Sequence, residues 1–472
     1  MASPSAPTDS GAFPEGMEQQ GKRNIIIIGG GIMGCTTAYF LTRHPKYKPS
    51  QYQITLLEAN AIASGASGKA GGLLGLWAYP ECLVPLSYRL HRELAEEHGG
   101  AERWGYRRVE CGSIRAVVKG VDDDQSKAKV PTSPQPKLDQ TQPDPSPPPL
   151  PIQNTTTAQD ENEDKDWEKL PKQDADASDL LKRSLLPQDL DWIDASLVDS
   201  YEEMGSEGRA ETAQVHPFLF TTSMAQLAKE SGVDIRLGAK VTKISFDKTR
   251  VQSVEYEKRQ TGETVRIEAD DSTDVVITAG PWTGRLFPPT RIHGIRAHSV
   301  VFDADVSPYA VFTQIQLPAG FMPEHRVRKG QKKRHRTRVD PEVYARPNGE
   351  VYACGETDSS IPLPETSDLV QADADQCEDL VAYFGTISSA LKAATVKERN
   401  ACYIPQHMRF GKEMEPIVGQ TSVPGLWVAS GHTCWGIQNG PATGYLMAEM
   451  LMEGGKASSA NIDKLNPERF RV

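Results

Sequence analysis

No two cysteines in the sequence stand in a C-x-x-C spacing, and the seven present, at 35, 82, 111, 354, 377, 402 and 434, are an odd number. A disulfide framework and a structural zinc site are therefore not expected, no metal ligands are assigned, and a reducing compartment is the default. Long apolar runs are missing too: none approaches the ~20 residues needed to span a bilayer. Residues 1–23 are rich in Ser, Pro, Gly and Gln without a hydrophobic segment, so no signal peptide is expected there. The terminal Arg471-Val472 does not match an S-K-L address. Net positive charge is also lacking. At −11 and a pI near 5.5, the chain is not expected to take nucleic acid as its main partner. A cytoplasmic location follows by elimination, and 472 residues allow two or three domains with a large core.

Asn24–Gly34 reads NIIIIGGGIMG. Four successive β-branched residues without polar alternation predict a buried parallel strand. It runs into Gly29-x-Gly31-x-x-Gly34, with a helix predicted over Cys35–Thr42. The three glycines suit a tight turn, close approach to a pyrophosphate, and close packing of helix on strand. A second strand, Gln53–Leu57, ends in Glu58, which lies 24 residues after Gly34, near the ~20 expected of a ribose-binding acid. This order of elements predicts dinucleotide binding. The motif alone does not choose between FAD and NAD.

Ala63–Gly72, ASGASGKAGG, is too small in its side chains to build a core. Directly after Glu58 it reads as backbone lying along a flat or anionic ligand, with Ser64, Ser67 and Lys69 as donors; a plain surface loop is the other reading. A helix is predicted over Leu83–His98, and two short strands around Cys111-Gly112. Residues 121–179 change character, with six prolines in Pro143–Pro151 among polar residues. Such a segment buries too little apolar surface to offset its ordering entropy, and it reads as a disordered insertion.

Beyond it, helices are predicted at Leu185–Leu197 and near Asp375–Lys397, and strands at Val233–Leu237, Val241–Phe246, Asp274–Thr278, Arg296–Phe302 and Val343–Cys354. Val251–Tyr256 and Thr264–Ala269 are predicted to pair as a hairpin. Arg326–Arg338 carries eight Lys or Arg in thirteen residues. It reads as a solvated loop, or as a contact for anionic lipid or a nuclear-localisation-like cluster. Gly425–Ser430 is an apolar strand, and a glycine-punctuated turn leads from it into a helix predicted over Ala442–Met452. The chain thus returns late to set another helix N-terminus beside the first motif, which suits an extended flavin dinucleotide better than a nicotinamide.

The ordered set GGGIMG, Glu58, ASGASGKAGG, VHP at 215–217, VVITAGPW at 275–282, Cys402-Tyr403-Ile404-Pro405, and PGLWVASGH with GPATG resembles the FAD-dependent D-amino-acid oxidase, glycine oxidase and sarcosine oxidase family. Within it, the chain most resembles a fungal branch of oxidoreductases linked to endosome-to-Golgi transport. The resemblance implies FAD as cofactor, held at the pyrophosphate by Gly29, Gly31, Ile32 and Gly34, and at the ribose by Glu58. It implies that Ser67, Lys69, Ala70, Gly71 and Gly72 follow the ribityl chain and ring, with Ser64 also on the cofactor, and that Val241 meets the adenine through its backbone. Ala279, Gly280 and Trp282 would flank the cofactor. The segment Gly436–Ala442, with Ile437, Gly440 and Pro441 in it, would point N–H groups at the pyrimidine end, where a reduced flavin carries negative charge, and Gly431 would also bind the cofactor.

Two departures stand out. Amino-acid-oxidising members carry an arginine in an R-P dipeptide that clamps the substrate carboxylate, whereas this chain has Ile404-Pro405, with His407 and Arg409 nearby. Cys402 lies where some members attach flavin through a thioether; an ordinary buried cysteine is the other reading. His432 is the candidate polar group of the active site and Trp435 a candidate wall of the substrate cavity.

The expected fold is α/β, a Rossmann-like FAD-binding domain interleaved with a smaller, mostly antiparallel α+β substrate domain. The first is expected from 22–98, 200–292 and 400–472. The second is expected from 99–199 and 293–399, with 121–179 a disordered insertion, 326–338 a basic loop and 1–21 a disordered N-terminus. The expected activity is oxidation of an amine at its C–N bond with oxygen as acceptor. The alternative is a flavoprotein serving late endosome-to-Golgi trafficking at the endosome periphery, its FAD mainly structural.

Overall fold

A computed structural model of the chain describes residues 22–119, 185–205, 211–331 and 336–472. The disorder expected for 1–21 and 121–179 falls outside the described residues. Among the described residues there are four sheets, and two of them frame the site.

The first has six strands in the spatial order Ile417–Gln420, Leu426–Ser430, Thr273–Ile277, Arg23–Ile28, Tyr52–Glu58 and Asp234–Leu237. All neighbours are parallel except Ile417–Gln420, which pairs antiparallel at the edge. The isoleucine run is explained by burial on both faces. Ile25 and Ile27 enter a core with the helices, while Ile26 and Ile28 enter a second core with the three-stranded sheet of Ala239–Phe246, Val251–Lys258 and Glu263–Glu268. A strand covered on both sides gains from apolar residues at every position.

Helix Ile32–Arg43 packs against Pro217–Glu230 and the long C-terminal helix Gly436–Met452. Contact with the latter is close because glycines face the first helix. A Cβ on Gly440 would lie 2.4 Å from Ile32 Cγ1, and one on Gly444 2.5 Å from Thr36 Oγ1. Thr36 Oγ1 donates to the Gly440 carbonyl at 2.9 Å across that contact.

The C-terminal helix starts at Gly436, six residues before the predicted Ala442, with Pro441 inside it. Proline has no N–H and leaves the carbonyl four residues earlier without its donor. That carbonyl, Ile437 O, accepts instead from His91 Nε2 at 2.9 Å, and the Ala442 N–H is taken by Ser87 Oγ at 3.1 Å. Both partners belong to helix Val84–His98. Burial lowers the His91 pKa to about 4, so the ring is neutral and carries its proton on Nε2.

The other large sheet has nine strands and is mostly antiparallel. Its centre runs through Thr395–Arg409, Ile292–Asp303, Glu350–Asp358, Glu342–Arg346, Tyr309–Gln316 and Glu110–Val117. One face packs on helix Ala374–Gly385 through Val300, Phe302, Val343, Ala353 and Phe384. The other looks toward the first sheet.

Several expected elements differ. Strands Val198–Glu203 and Thr395–Arg409 run unbroken through the boundaries expected at 199/200 and 399/400, because each stays hydrogen-bonded in this sheet along its length. Leu185–Leu197 is not a helix. Its helically spaced Leu186, Leu190 and Ile193 do enter the core, but Pro187 opens a turn and only Ala195–Leu197 forms a 3-10 turn. Cys111-Gly112 lies within strand Glu110–Val117, where a Gly112 Cβ would meet the Tyr201 ring at 2.4 Å. Val343–Cys354 is a hairpin that turns at Asn348 and Gly349, both with positive φ. The stretch from Asp375 holds two helices, the second capped by Ser388, and from Thr395 it is strand.

The basic stretch is only partly a loop. Arg326 lies in helix Glu324–Arg328, is buried, and donates from Nε to Asp379 Oδ1 at 2.6 Å. Arg328, Lys329, Arg336 and Arg338 each pair with a carboxylate. Residues 332–335 lie outside the described residues. The five described cations thus each have a carboxylate partner within the protein. Among the described residues no helix is long and apolar enough to cross a membrane.

Candidate active site

A cavity of about 700 Å³ lies between the two large sheets. Its first wall is built mainly of backbone. Gly29 leaves the first strand with φ +113, and a Cβ on Gly34 would stand 2.0 Å from the Gly29 carbonyl, so the helix can pass this close only with glycine at 34. The helix that follows has no acid in its first turn and no side-chain cap from Gly31; the Ile32 N–H meets Ser67 Oγ at 2.9 Å. Glu58 is held by the N–H groups of Gly30 at 2.7 Å and Asn60 at 2.8 Å. Burial raises its pKa against those two bonds. The C-terminal helix brings a second N-terminus, with neither an acid in its first turn nor a side-chain cap. Two helix N-termini on one cavity, neither with an acid in its first turn, suit an anionic, elongated ligand.

The second wall is made of side chains from the nine-stranded sheet: Phe312, Glu342, Tyr344, Tyr352, Cys354 and Cys402. Strand alternation brings them to one face, with Phe312 and Cys354 opposite Glu342 and Tyr352 opposite Tyr344. The Tyr344 hydroxyl donates to Glu342 Oε2, and its ring stacks on Tyr352 at 5.9 Å. At the open end stand Tyr79, Cys434 and Trp435, with the Trp435 ring edge-on to Trp77 at 5.4 Å and Tyr79 at 5.9 Å.

The family model described as FAD dependent oxidoreductase (DAO) matches residues 24–450. The chain belongs to this family. It is 34% identical over 520 residues to "Putative oxidoreductase TDA3" of Saccharomyces cerevisiae, covering 96% of this chain and 95% of that protein. It is 31% identical to "Putative oxidoreductase C1F5.03c" of Schizosaccharomyces pombe, covering 94% and 98%. Glycine oxidase from Bacillus cereus shares the fold at a TM-score of 0.58 and 17% identity, over 92% of this chain and 96% of that one.

The protein is therefore an FAD-dependent oxidoreductase, and its cavity fits the cofactor. Gly29, Gly31 and Ile32 line it at the N-terminus of the first helix. Glu58, Val241, Ser64 and Ser67 line the same cavity. Lys69, Ala70, Gly71, Gly72, Gly431, Gly436 and Ile437 line it too. Ala279, Gly280 and Trp282 line it as well, the Trp282 indole donating to Pro364 O at 2.8 Å.

Four assigned residues lie off the cavity. Gly34 serves the packing of helix on strand, and Gly440, Pro441 and Ala442 sit inside the C-terminal helix, against Ile32 and Ser87. The helix starts earlier than predicted, so its free N–H groups belong to the turn beginning at Gly436.

His432 and Trp435 both line the cavity. His432 Nε2 is 3.0 Å from Thr443 Oγ1, and burial lowers its pKa to about 3, which makes it a neutral ring. Cys402 also lines the cavity; burial pushes its thiol up to about 11, with the Lys69 ammonium opposing. Neither His407 nor Arg409 replaces the missing clamp. Arg409 Nε donates to His407 Nε2 at 2.8 Å and its Nη2 to Pro289 O at 3.0 Å, outside the cavity, while Ile404 faces in.

Sequence reading missed Phe312, Glu342, Tyr344, Tyr352, Cys354 and Tyr79. The alternation Glu342-Val343-Tyr344-Ala345-Arg346 was the available signal: polar or aromatic residues on one face and apolar residues on the other.

Proposed function

We propose that the protein oxidises a small amine at its C–N bond, with bound FAD supplying the hydride acceptor and oxygen the terminal acceptor. The observation that carries this reading is the side-chain wall itself. The same cavity is lined by Phe312, Tyr344, Tyr352 and Trp435, with Gly71 against the Tyr344 ring. Aromatic walls exclude water and orient a small organic group, which is what this chemistry asks of a protein. His432 and the Gly436 turn would face the flavin ring, the helix end favouring negative charge there. We take the flavin as held without a covalent bond to Cys402, which the denaturation step below tests.

The test is spectroscopic. Purified protein should show flavin absorbance, release its flavin to the supernatant on denaturation, and bleach anaerobically with an amine substrate. A flavin that no amine reduces would sink the oxidase reading and favour the second one, a cytoplasmic flavoprotein acting at endosomes in trafficking. Cell fractionation with and without endosomal membranes separates the two locations.

A further inference from the structure

The second wall carries a carboxylate with no cation beside it. Glu342 stands in mid-sheet, paired across the ladders with Phe312 and Cys354. It accepts from the Tyr344 hydroxyl and lies 3.9 Å from Cys354 Sγ. Burial pushes its pKa up, opposed only by that hydroxyl, and no Lys, Arg or His among the described residues forms an ion pair with it. The neighbouring cations are turned elsewhere. Lys69 Nζ donates to Ala401 O at 2.9 Å. Arg346 donates to Ala70 O and lies over the Tyr352 ring, 4.6 Å from its centroid. Arg285 is spent on Pro364 O at 2.9 Å and on Leu363 O.

A substrate carboxylate in this space would meet Glu342 in a desolvated setting with no guanidinium to compensate, an arrangement that costs free energy or forces protonation. An ammonium group would reverse the balance. It would give Glu342 the counter-charge it lacks and face aromatic rings that attract cations. Glu413 at the rim, exposed and hydrogen-bonded by Gln406 Nε2 at 2.6 Å, adds charge of the same sign.

We infer that the substrate is an ammonium compound without a carboxylate, and that Glu342 is the residue that selects it. This rests on the amine-oxidation reading for the chemistry, but the recognition stands on Glu342 and its surroundings. It separates the protein from a free amino-acid oxidase.

The experiment uses the flavin-loaded full chain and matched pairs differing by one carboxylate: cadaverine and lysine, tryptamine and tryptophan, benzylamine and phenylglycine. Binding is read by calorimetry and turnover by anaerobic flavin bleaching. The decarboxylated member of at least one pair should bind about tenfold tighter or more. Glu342→Gln should erase that preference with flavin content unchanged, and Glu342→Asp should restore part of it. Equal or tighter binding of the carboxylated members, no binding of any amine, or a preference that survives Glu342→Gln would each overturn the inference. If Glu342→Gln does not fold, the wild-type pairs decide alone. Bleaching by amino acids but not by amines overturns it while the oxidase reading stands. Amine binding that depends on Glu342 without any bleaching upholds it and sinks the oxidase reading.

Discussion

The two walls of the cavity are built from different materials. The first uses main chain: a strand end, glycine turns and two helix N-termini, with Glu58 held by two N–H groups. The second uses side chains on a sheet, where Glu342, Tyr344 and Tyr352 depend on strand alternation and on one another. They meet at Gly71, where a Cβ would fall 2.3 Å from the Tyr344 ring. A wall of backbone binds what the whole family binds, and a wall of side chains can change its ligand without changing the fold. This contrast explains why cofactor and substrate are legible to different degrees.

The contrast can be broken most severely at Gly34. Gly34→Val would press a branched side chain on the Gly29 carbonyl, and we expect a loss of about 3 kcal/mol or more, read as failure to fold or a large fall in Tm. A small effect would mean that helix and strand can separate without cost.

Acid should act next. His91, at about 4, and His432, at about 3, have folded pKa values below the ordinary 6.5. The unfolded chain therefore binds more protons in this window, so their contribution is present above about 6.5 and lost as pH falls toward 4. For His91 alone this is on the order of 3 kcal/mol. Thermal melts from pH 7 to 4.5 should show Tm falling, and His91→Phe should flatten part of the slope; an unchanged slope would place the acid sensitivity elsewhere.

Gly31→Leu tests the first wall as a binding surface. Its Cβ would approach only Ser67 Oγ, at 3.1 Å, so the fold should persist while flavin retention falls by about 100-fold, roughly 3 kcal/mol. Circular dichroism and the flavin-to-protein absorbance ratio measure the two separately. Tyr344→Phe makes the opposite cut and should have the smallest effect. Flavin content should stay level and stability change by about 1 kcal/mol as Glu342 loses its hydroxyl donor. Loss of flavin in this variant would show that the two walls do not divide the work.

The first wall was legible because each requirement leaves a local mark. Buried parallel strand demands the isoleucine run, close approach demands Gly29 and Gly34, and Glu58, the acid expected at the ribose, falls at the end of the next strand. Tertiary compensation hid other features. Pro441 looked like a barrier to a helix at Gly436, and only His91 and Ser87, some 350 residues away, make that helix possible. Leu186, Leu190 and Ile193 had helical spacing, yet Pro187 made their burial irregular.

The sequence by itself determined the cofactor half of this protein, since glycine positions and β-branched runs are local constraints that survive without knowledge of their neighbours. It also disclosed the absence of the carboxylate arginine at Ile404-Pro405. Which charged side chains reach the cavity was decided by the tertiary structure. Glu342 gains meaning only when the sheet carries it to the cavity, burial removes water from it, and Lys69, Arg285 and Arg346 are each seen to be engaged elsewhere. Charge and desolvation at a site depend on what surrounds it in space, and a linear chain does not carry that information locally.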